Sequence, residues 1–271
     1  MQRLGQHFLK NKEILEKIVD TLNVKSGDVI VEIGPGHGEL TKKLLERPVT
    51  VVAIEKDLRL VDLLTKNFKV QISNSKSNPK SQLPKLNVIN ADALKALPSL
   101  TENLSFDICH LKLVGNIPYY ITGHLLRILS ELEHKPEIIT LLVQKEVAER
   151  VVARPPKTNL LAAVTQSWSD PKIIAHAGRK DFSPPPKVDS AVIVLRPLPN
   201  TLYPKPYFEF LHALFKQPRK TIANNLMTNG EFRMTKDKLM QQLREMSIDP
   251  GARPQNLSLA EIQNLFAALY N

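Results

Sequence analysis

The sequence predicts an α/β fold: a parallel, doubly wound sheet followed by a small all-helical carboxyl-terminal domain. Three observations carry this. Short apolar runs alternate with segments of helical period through the first two thirds of the chain, as expected when successive strands pair in parallel through helical crossovers. A glycine-rich pentapeptide, Gly34-Pro35-Gly36-His37-Gly38, directly follows the first apolar run. Beyond a proline-rich stretch at 197–206 only helical periodicity remains.

The elements follow in order. Residues 13–22 predict a helix, with Ile14, Leu15, Ile18, Val19 and Leu22 at helical spacing. Residues 28–33 read as a buried strand running into the glycines, and 39–45 as the helix after them. Residues 50–54 predict a second strand ending at Glu55, with its helix at 58–68, and residues 88–90 a third strand ending at Asp92. The intervening residues 71–85 are polar and rich in Ser, Asn and Lys, which predicts a mobile surface loop. Residues 110–114 give a fourth strand feeding Gly115-Asn116-Ile117-Pro118-Tyr119, followed by a helix at 123–132. A fifth strand is expected at 137–143 and a helix at 145–153, stopped by Arg154-Pro155-Pro156-Lys157. Residues 163–168, 172–176 and 188–195 are expected to supply the remaining sheet material. Residues 196–206 hold four prolines in eleven positions and predict a linker. Helices are expected at 208–215, 219–226, 236–246 and 259–269. The division expected is one domain at 1–196, a linker at 197–206 and a helical domain at 207–271.

At 271 residues with 42% hydrophobic composition, the chain can bury a full core, as a soluble globular protein does. It has no run of 18 apolar residues and no apolar signal-peptide segment after Met1, so a cytoplasmic location is expected. Lys plus Arg exceed Asp plus Glu by 37 to 27, a net charge of +10, and the partner this favours is a nucleic acid. The single cysteine, Cys109, excludes an internal disulfide and a Cys-based zinc site, and is expected to be a buried structural thiol. The seven histidines show no ligand spacing with Asp, Glu or Cys, so no metal is expected.

The chemistry is concentrated where strands end. Glycines at 34 and 36 suit a ligand that passes close to backbone, because a Cβ there would block its approach. Glu55, about twenty residues on, is placed to accept both hydroxyls of an adenosine ribose. Asp92 is placed to accept from an adenine amino group, or else to cap a helix. Asn116 offers a side-chain carbonyl acceptor, Pro118 holds the Ile117 carbonyl in extended backbone, and Tyr119 offers a stacking face. Those last four residues suit an exocyclic amine, whose delocalised lone pair must be drawn toward tetrahedral geometry before it can attack. Gly loop, ribose acid, adenine acid and Asn-Ile-Pro-Tyr, in that order, describe a Rossmann-like methyltransferase domain that uses S-adenosyl-L-methionine. A dehydrogenase reading survives weakly, since the third glycine comes one residue too early for the dinucleotide spacing.

With these residues in hand, the chain resembles the ribosomal RNA adenine dimethyltransferases, most of all those of the bacterial small subunit. The likeness runs through Gly5-Gln6-His7-Phe8-Leu9, Val31-Glu32-Ile33-Gly34-Pro35-Gly36-His37-Gly38, Glu55-Lys56-Asp57, Ala91-Asp92-Ala93-Leu94 and Gly115-Asn116-Ile117-Pro118-Tyr119. It continues through Val143-Gln144-Lys145-Glu146-Val147-Ala148-Glu149-Arg150, Phe182-Ser183-Pro184-Pro185-Pro186-Lys187-Val188-Asp189-Ser190-Ala191 and Arg219-Lys220-Thr221. The resemblance implies dimethylation of two adjacent adenines in a hairpin loop near the 3′ end of 16S rRNA, in the 30S subunit; a monomer is the expected state. It implies cofactor contacts at His7, Leu9, Gly34, Gly36, Glu55, Asp92 and Asn116. It implies catalytic roles for Asn116, Ile117, Pro118 and Tyr119, with Phe182 closing the target adenine from the face opposite Tyr119. The helical domain is the expected RNA- and ribosome-binding part, with Arg150, Lys187, Arg219 and Lys220 as candidate phosphate contacts. Two departures stand out: the polar 71–85 loop and residues 154–166, where Lys157-Thr158-Asn159-Leu160-Leu161-Ala162-Ala163 replaces the family's usual stretch. Methylation of a 23S rRNA adenine, or a non-catalytic checkpoint in ribosome assembly, are the alternatives.

Overall fold

The structure is a computed structural model that describes residues 7–68, 85–105, 110–199, 203–227 and 235–270. Cys109, Gly5, Gln6 and all of the 71–85 loop except Lys85 lie outside the described residues. In chain order the elements are β1 (Phe8–Leu9), α1 (Lys12–Thr21), β2 (Val29–Ile33), α2 (Glu39–Leu45), β3 (Thr50–Glu55), α3 (Leu58–Phe68), β4 (Leu86–Asn90) and α4 (Ala93–Ser105). They continue with β5 (Leu111–Asn116), a 3-10 turn (Tyr119–Ile121), α5 (Thr122–Glu131), β6 (Ile138–Gln144), α6 (Lys145–Val151), α7 (Leu160–Trp168) and β7 (Ser169–Ala177). Then come β8 (Phe182–Ser183), β9 (Ser190–Pro197), α8 (Lys205–Phe215), α9 (Ile222–Met227), α10 (Lys236–Glu245) and α11 (Leu259–Tyr270).

Two compact units result: residues 1–148 with 170–198, and residues 149–169 with 199–271. In the first, seven strands among the described residues form one sheet in the order β4-β3-β2-β5-β6-β9-β7. Strands β2 to β6 run parallel, and β9 returns antiparallel to β6. Strand β2 is buried at all five positions, which is why it reads as an unbroken apolar run apart from Glu32. One face of the sheet packs Leu15 and Ile18 of α1, Leu40 and Leu44 of α2 and Val61 and Leu64 of α3 against Ile30, Val51, Val88 and Val114. Helix α1 starts where it does because the Asn11 side chain accepts from the Glu13 and Ile14 N–H groups at 3.0 and 3.2 Å.

Successive strands step outward from β2 to β4, then the chain returns to place β5 on the other side of β2. The reversal leaves a crevice beyond the carboxyl ends of β2 and β5, the place where open α/β sheets bind ligands. Ile33 and Gly115 are register partners there. A Cβ on Gly115 would stand 2.7 Å from the Ile33 carbonyl oxygen and 2.7 Å from Ile117 Cδ1, so the two strand ends meet at a separation only glycine allows.

The opposite end of the same two strands is closed by a buried ion pair. Lys112 of β5 meets Asp28, with side chains 3% and 0% exposed. The ammonium also donates to the Asn23 carbonyl at 2.8 Å, and Asp28 accepts from the Lys25 N–H at 2.7 Å.

The second unit is helical, with Tyr207, Phe210, Leu214, Ile222, Leu243 and Leu265 at its core. Three sequence expectations are corrected here. Residues 163–168 belong to helix α7, whose first turn is capped by Asn159 accepting from the Ala162 N–H at 3.1 Å, and not to the sheet. Residues 149–169 pack with the carboxyl-terminal helices instead of with residues 1–148. The reason is local: Thr158 donates its hydroxyl to the Leu257 carbonyl at 2.8 Å and its N–H to the Gln255 carbonyl at 3.1 Å, while Ala163 joins the helical core. The expected linker is also shorter, because Lys205 and Pro206 already form the first turn of α8, where a proline's missing N–H costs nothing.

Candidate active site

The four candidate binding segments occupy the carboxyl ends of four neighbouring strands: Asp92 beyond β4, Glu55 on β3, the glycine loop after β2, and Asn116 ending β5. Three inter-strand spacings put the outer two roughly 15 Å apart, a span suited to an extended adenosyl ligand.

The glycine loop is built by backbone conformation. Gly34 and Gly36 have φ of +66° and +60°, in the left-handed region that side chains disfavour. Gly36 is further restricted by Phe8: a Cβ would lie 2.5 Å from that ring. Phe8 in turn stacks on His37, centroids 3.9 Å apart at 19°. The amino-terminal strand therefore lies on the loop.

Glu55 is 5% exposed, and its two oxygens accept from the Asp57 N–H at 2.9 Å and the Gly36 N–H at 3.3 Å. Burial pushes its carboxyl above the usual range, partly offset by those backbone donors. The carboxylate is thus fixed in position and keeps lone pairs for a ribose. Asp92 takes the capping role: Oδ1 accepts from the Leu94 N–H at 3.0 Å at the start of α4, while Oδ2 holds the Lys56 ammonium at 2.9 Å. The Lys56 hydrogen bond holds its carboxyl below the ordinary value.

Asn116 has an orientation that its contacts define. Its Nδ2 donates to the His7 carbonyl at 2.7 Å, so the side-chain oxygen is left as the acceptor. Ile117 is buried and donates its N–H to the Leu142 carbonyl at 3.1 Å. The Pro118 carbonyl is taken by the Ile121 N–H at 3.1 Å, which makes the 3-10 turn that Tyr119 opens. The Tyr119 side chain lies outside the described residues.

The strap at residues 7–11 is tied across to residues 181–184. β1 pairs antiparallel with β8, Leu9 opposite Phe182. His7 Nδ1 lies 2.9 Å from the Pro184 carbonyl oxygen, the Lys10 N–H donates to the Asp181 carbonyl at 2.7 Å, and Asn11 Nδ2 donates to the Asp181 carboxylate at 2.8 Å. Phe182 is 6% exposed and packs in the core with Leu9, Leu15 and Ile18. Core packing is what its described contacts provide.

An open cleft lies over β2 and β5, lined among others by Leu9, Glu32, Gly34, His37, Asn116 and Leu142. Leu9, Gly34 and Asn116 were expected from the sequence; Glu55, Asp92 and Phe182 lie outside this lining. Glu32 and its partner Thr41 were not singled out as site residues. Glu32 is 1% exposed and accepts from the Thr41 hydroxyl at 2.7 Å, and burial pushes its carboxyl up to about 7. A signal existed: an acid inside an otherwise apolar strand is costly unless it has a task. An anionic floor without a cationic partner among the described residues suits a positively charged ligand. Arg150, Lys187, Arg219 and Lys220 are all exposed. Arg219 and Lys220 ride a loop held by buried Asn225, which donates to the Gln217, Lys220 and Thr221 carbonyls at 3.0, 3.3 and 3.2 Å and accepts from the Gln217 N–H at 2.9 Å.

A doubly wound sheet with a glycine loop, a ribose-type acid and an amide acceptor at its switch point defines a nucleoside-cofactor transferase of the Rossmann-like methyltransferase class. The family model for ribosomal RNA adenine dimethylase matches residues 1–269, and the chain belongs to that family. It is accordingly an rRNA adenine dimethyltransferase dependent on S-adenosylmethionine. Among similar proteins is "Ribosomal RNA small subunit methyltransferase A" of Dehalococcoides mccartyi (strain CBDB1), 35% identical and covering 97% of this chain and 86% of its own length. The protein of that name from Shouchella clausii is 36% identical over 99% of this chain and 89% of its own length. Among solved structures, a dimethyladenosine transferase from Plasmodium falciparum superposes with a TM-score of 0.77 at 25% identity, covering 97% of both chains. The 23S rRNA methyltransferase ErmE superposes with a TM-score of 0.72 at 24% identity over 97% of this chain and all of its own, a likeness of fold. Among the described residues no helix is long and apolar enough to cross a membrane.

Proposed function

We propose that this enzyme dimethylates two adjacent adenines in the 3′-terminal hairpin loop of 16S rRNA, acting as a cytoplasmic monomer on the 30S subunit. The observation that carries the site assignment is the orientation of Asn116. Its amide nitrogen is engaged by His7, so its oxygen and the Ile117 carbonyl are the two acceptors offered to an amine at the end of β5. The choice of the small subunit is supported by the names of relatives at 35% and 36% identity.

In this reading S-adenosylmethionine, when bound, supplies an electrophilic methyl group. Glu55 and Asp92 hold its nucleoside, while Gly34, Gly36, His7 and Leu9 line the way to its methionine part. Asn116 and Ile117 accept the two amine N–H bonds and draw the nitrogen toward tetrahedral geometry. Pro118 keeps that carbonyl extended, and Tyr119 stacks on the ring, with Phe182 buried behind the cofactor-side strand. Positioning supplies most of the acceleration. No base is required before the step, because the nitrogen becomes acidic only on alkylation. A paired adenine cannot enter, so the target is unpaired or extruded. Arg150, Lys187, Arg219 and Lys220 contact phosphates, and residues 207–271 with 149–169 form the RNA-binding unit.

The test is methyl transfer to purified 30S and 50S particles lacking the modification. Wild type is expected to label 30S alone, and Asn116→Ala to lose on the order of 100- to 1,000-fold in rate, as for removal of one preorganised hydrogen-bonding group. Labelling of 50S alone would overturn the choice of substrate, and an undiminished Asn116→Ala would overturn the site.

A further inference from the structure

The lip of the crevice carries a side chain that the mechanism leaves unused. Tyr120 follows the amine-binding tetrapeptide directly, and it is 70% exposed, the most exposed large hydrophobic residue among the described residues. Single exposed apolar residues are ordinary, so the exposure has to be weighed with its setting. The backbone under Tyr120 is fixed. It is the middle residue of the 3-10 turn, closed by the Ile121 N–H on the Pro118 carbonyl at 3.1 Å, between β5 and buried Thr122 of α5. An aromatic ring is therefore presented to solvent on a rigid support one residue beyond the reacting base.

A cation lies within electrostatic range of it. Lys56, with its side chain 63% exposed, is held by Asp92 at 2.9 Å at the end of the neighbouring strands, and its ammonium lies within electrostatic range of the Tyr120 phenol. An exposed aromatic residue and an exposed cation within electrostatic range of it make the combination that single-stranded nucleic acid uses: a base stacks on the one while a backbone phosphate meets the other. An RNA strand whose target base occupies the crevice must turn its next nucleotide over this lip, since one backbone step spans only a few ångströms.

We propose that Tyr120, assisted by Lys56, is a stacking platform for the unpaired nucleotide next to the adenine being methylated. The proposal builds on the reading that Asn116 and Ile117 grip the target amine. With two adjacent adenines as substrates, the platform holds one while its neighbour reacts. Tyr120 acts through RNA binding and touches neither the methyl donor nor the reacting nitrogen.

The experiment measures kcat and KM for undermethylated 30S particles, and the Kd for S-adenosylmethionine by calorimetry, in wild type, Tyr120→Ala, Tyr120→Phe and Asn116→Ala. Tyr120→Ala is expected to lower kcat/KM for the particle roughly five- to hundredfold, the worth of one base stack, with the cofactor Kd unchanged. Tyr120→Phe restores most of that loss, because stacking needs the ring and not the hydroxyl. A Tyr120→Ala value within twofold of wild type overturns the platform, as does an equal loss in Tyr120→Phe or a parallel loss of cofactor affinity. Those outcomes leave the functional reading standing as long as Asn116→Ala remains inactive. Failure of wild type itself to methylate 30S particles sinks that reading instead.

Discussion

Strands β2 and β5 are the same two neighbours at both ends, yet the ends are finished in opposite ways. At the amino end, Asp28 and Lys112 pair in the interior and share further donors and acceptors from Lys25 and Asn23. At the carboxyl end, Glu32 is equally buried but among the described residues is met by Thr41 alone, through its hydroxyl and its backbone, and Glu55 nearby adds repulsion. Charge is compensated where the sheet only has to hold together. It is left uncompensated where a cationic ligand has to bind, so stability is spent at the functional end.

The contrast can be broken at several points. The largest effect is expected from Lys112→Met, which strands the Asp28 carboxylate in the interior. About 3–5 kcal/mol of stability should be lost in urea unfolding. Methyl transfer per folded molecule should stay near wild type, because the pair lies at the far end of the strands. An unchanged midpoint would mean that the pair adds nothing to stability.

Glu32→Gln should do the reverse. The carboxyl sits at about 7 in the folded protein against 4.5 for an ordinary glutamate. Below 4.5 both states are protonated and nothing is lost. Between 4.5 and 7 the unfolded chain releases a proton that the folded protein keeps, so stability falls as pH rises, and above 7 the penalty is constant. Glu32→Gln removes that slope and should stabilise the ligand-free protein at pH 8 by up to about 3 kcal/mol, read from melting curves at pH 5 and 8. Binding of the positively charged methyl donor near pH 6.5 should release a proton from wild type and none from Glu32→Gln. Calorimetry in two buffers of different ionisation enthalpy measures this. A melting slope that survives the substitution would remove Glu32 from the comparison.

Gly115→Ala tests the narrowness of the crevice floor. The added methyl meets the Ile33 carbonyl and the Ile117 side chain, both at 2.7 Å. A loss of about 1–3 kcal/mol is expected from overpacking, accompanied by a fall in methyl transfer as Asn116 and Ile117 are displaced. Wild-type melting would show that the strand ends yield without strain.

Legibility in the sequence followed the range of the interactions. Strands β2 and β3, the glycine loop and Asn116 announce themselves because the signal lies within a few neighbouring residues. Residues 163–168, Ala-Val-Thr-Gln-Ser-Trp, misled because so short a stretch shows no period, and the Asn159 cap that makes them helical lies just upstream. Pro98 inside α4 hides that helix. The strap is less visible still: Phe8 on His37, Asn116 on His7 and Asn11 on Asp181 join residues 29, 109 and 170 positions apart. Phe182 shows the same limit, since an aromatic beside a proline run looks alike whether it faces a base or packs behind Leu9.

The hydrogen bonds from Asn116 to His7 and from His7 to Pro184 also set an order of events during synthesis of the chain. The sheet through β6 has its residues once position 144 has been translated, but residues 7–9 have no strand to pair with until positions 182–184 follow. A chain ending between those points carries the cofactor loop and the asparagine but not the strand with which residues 8 and 9 pair.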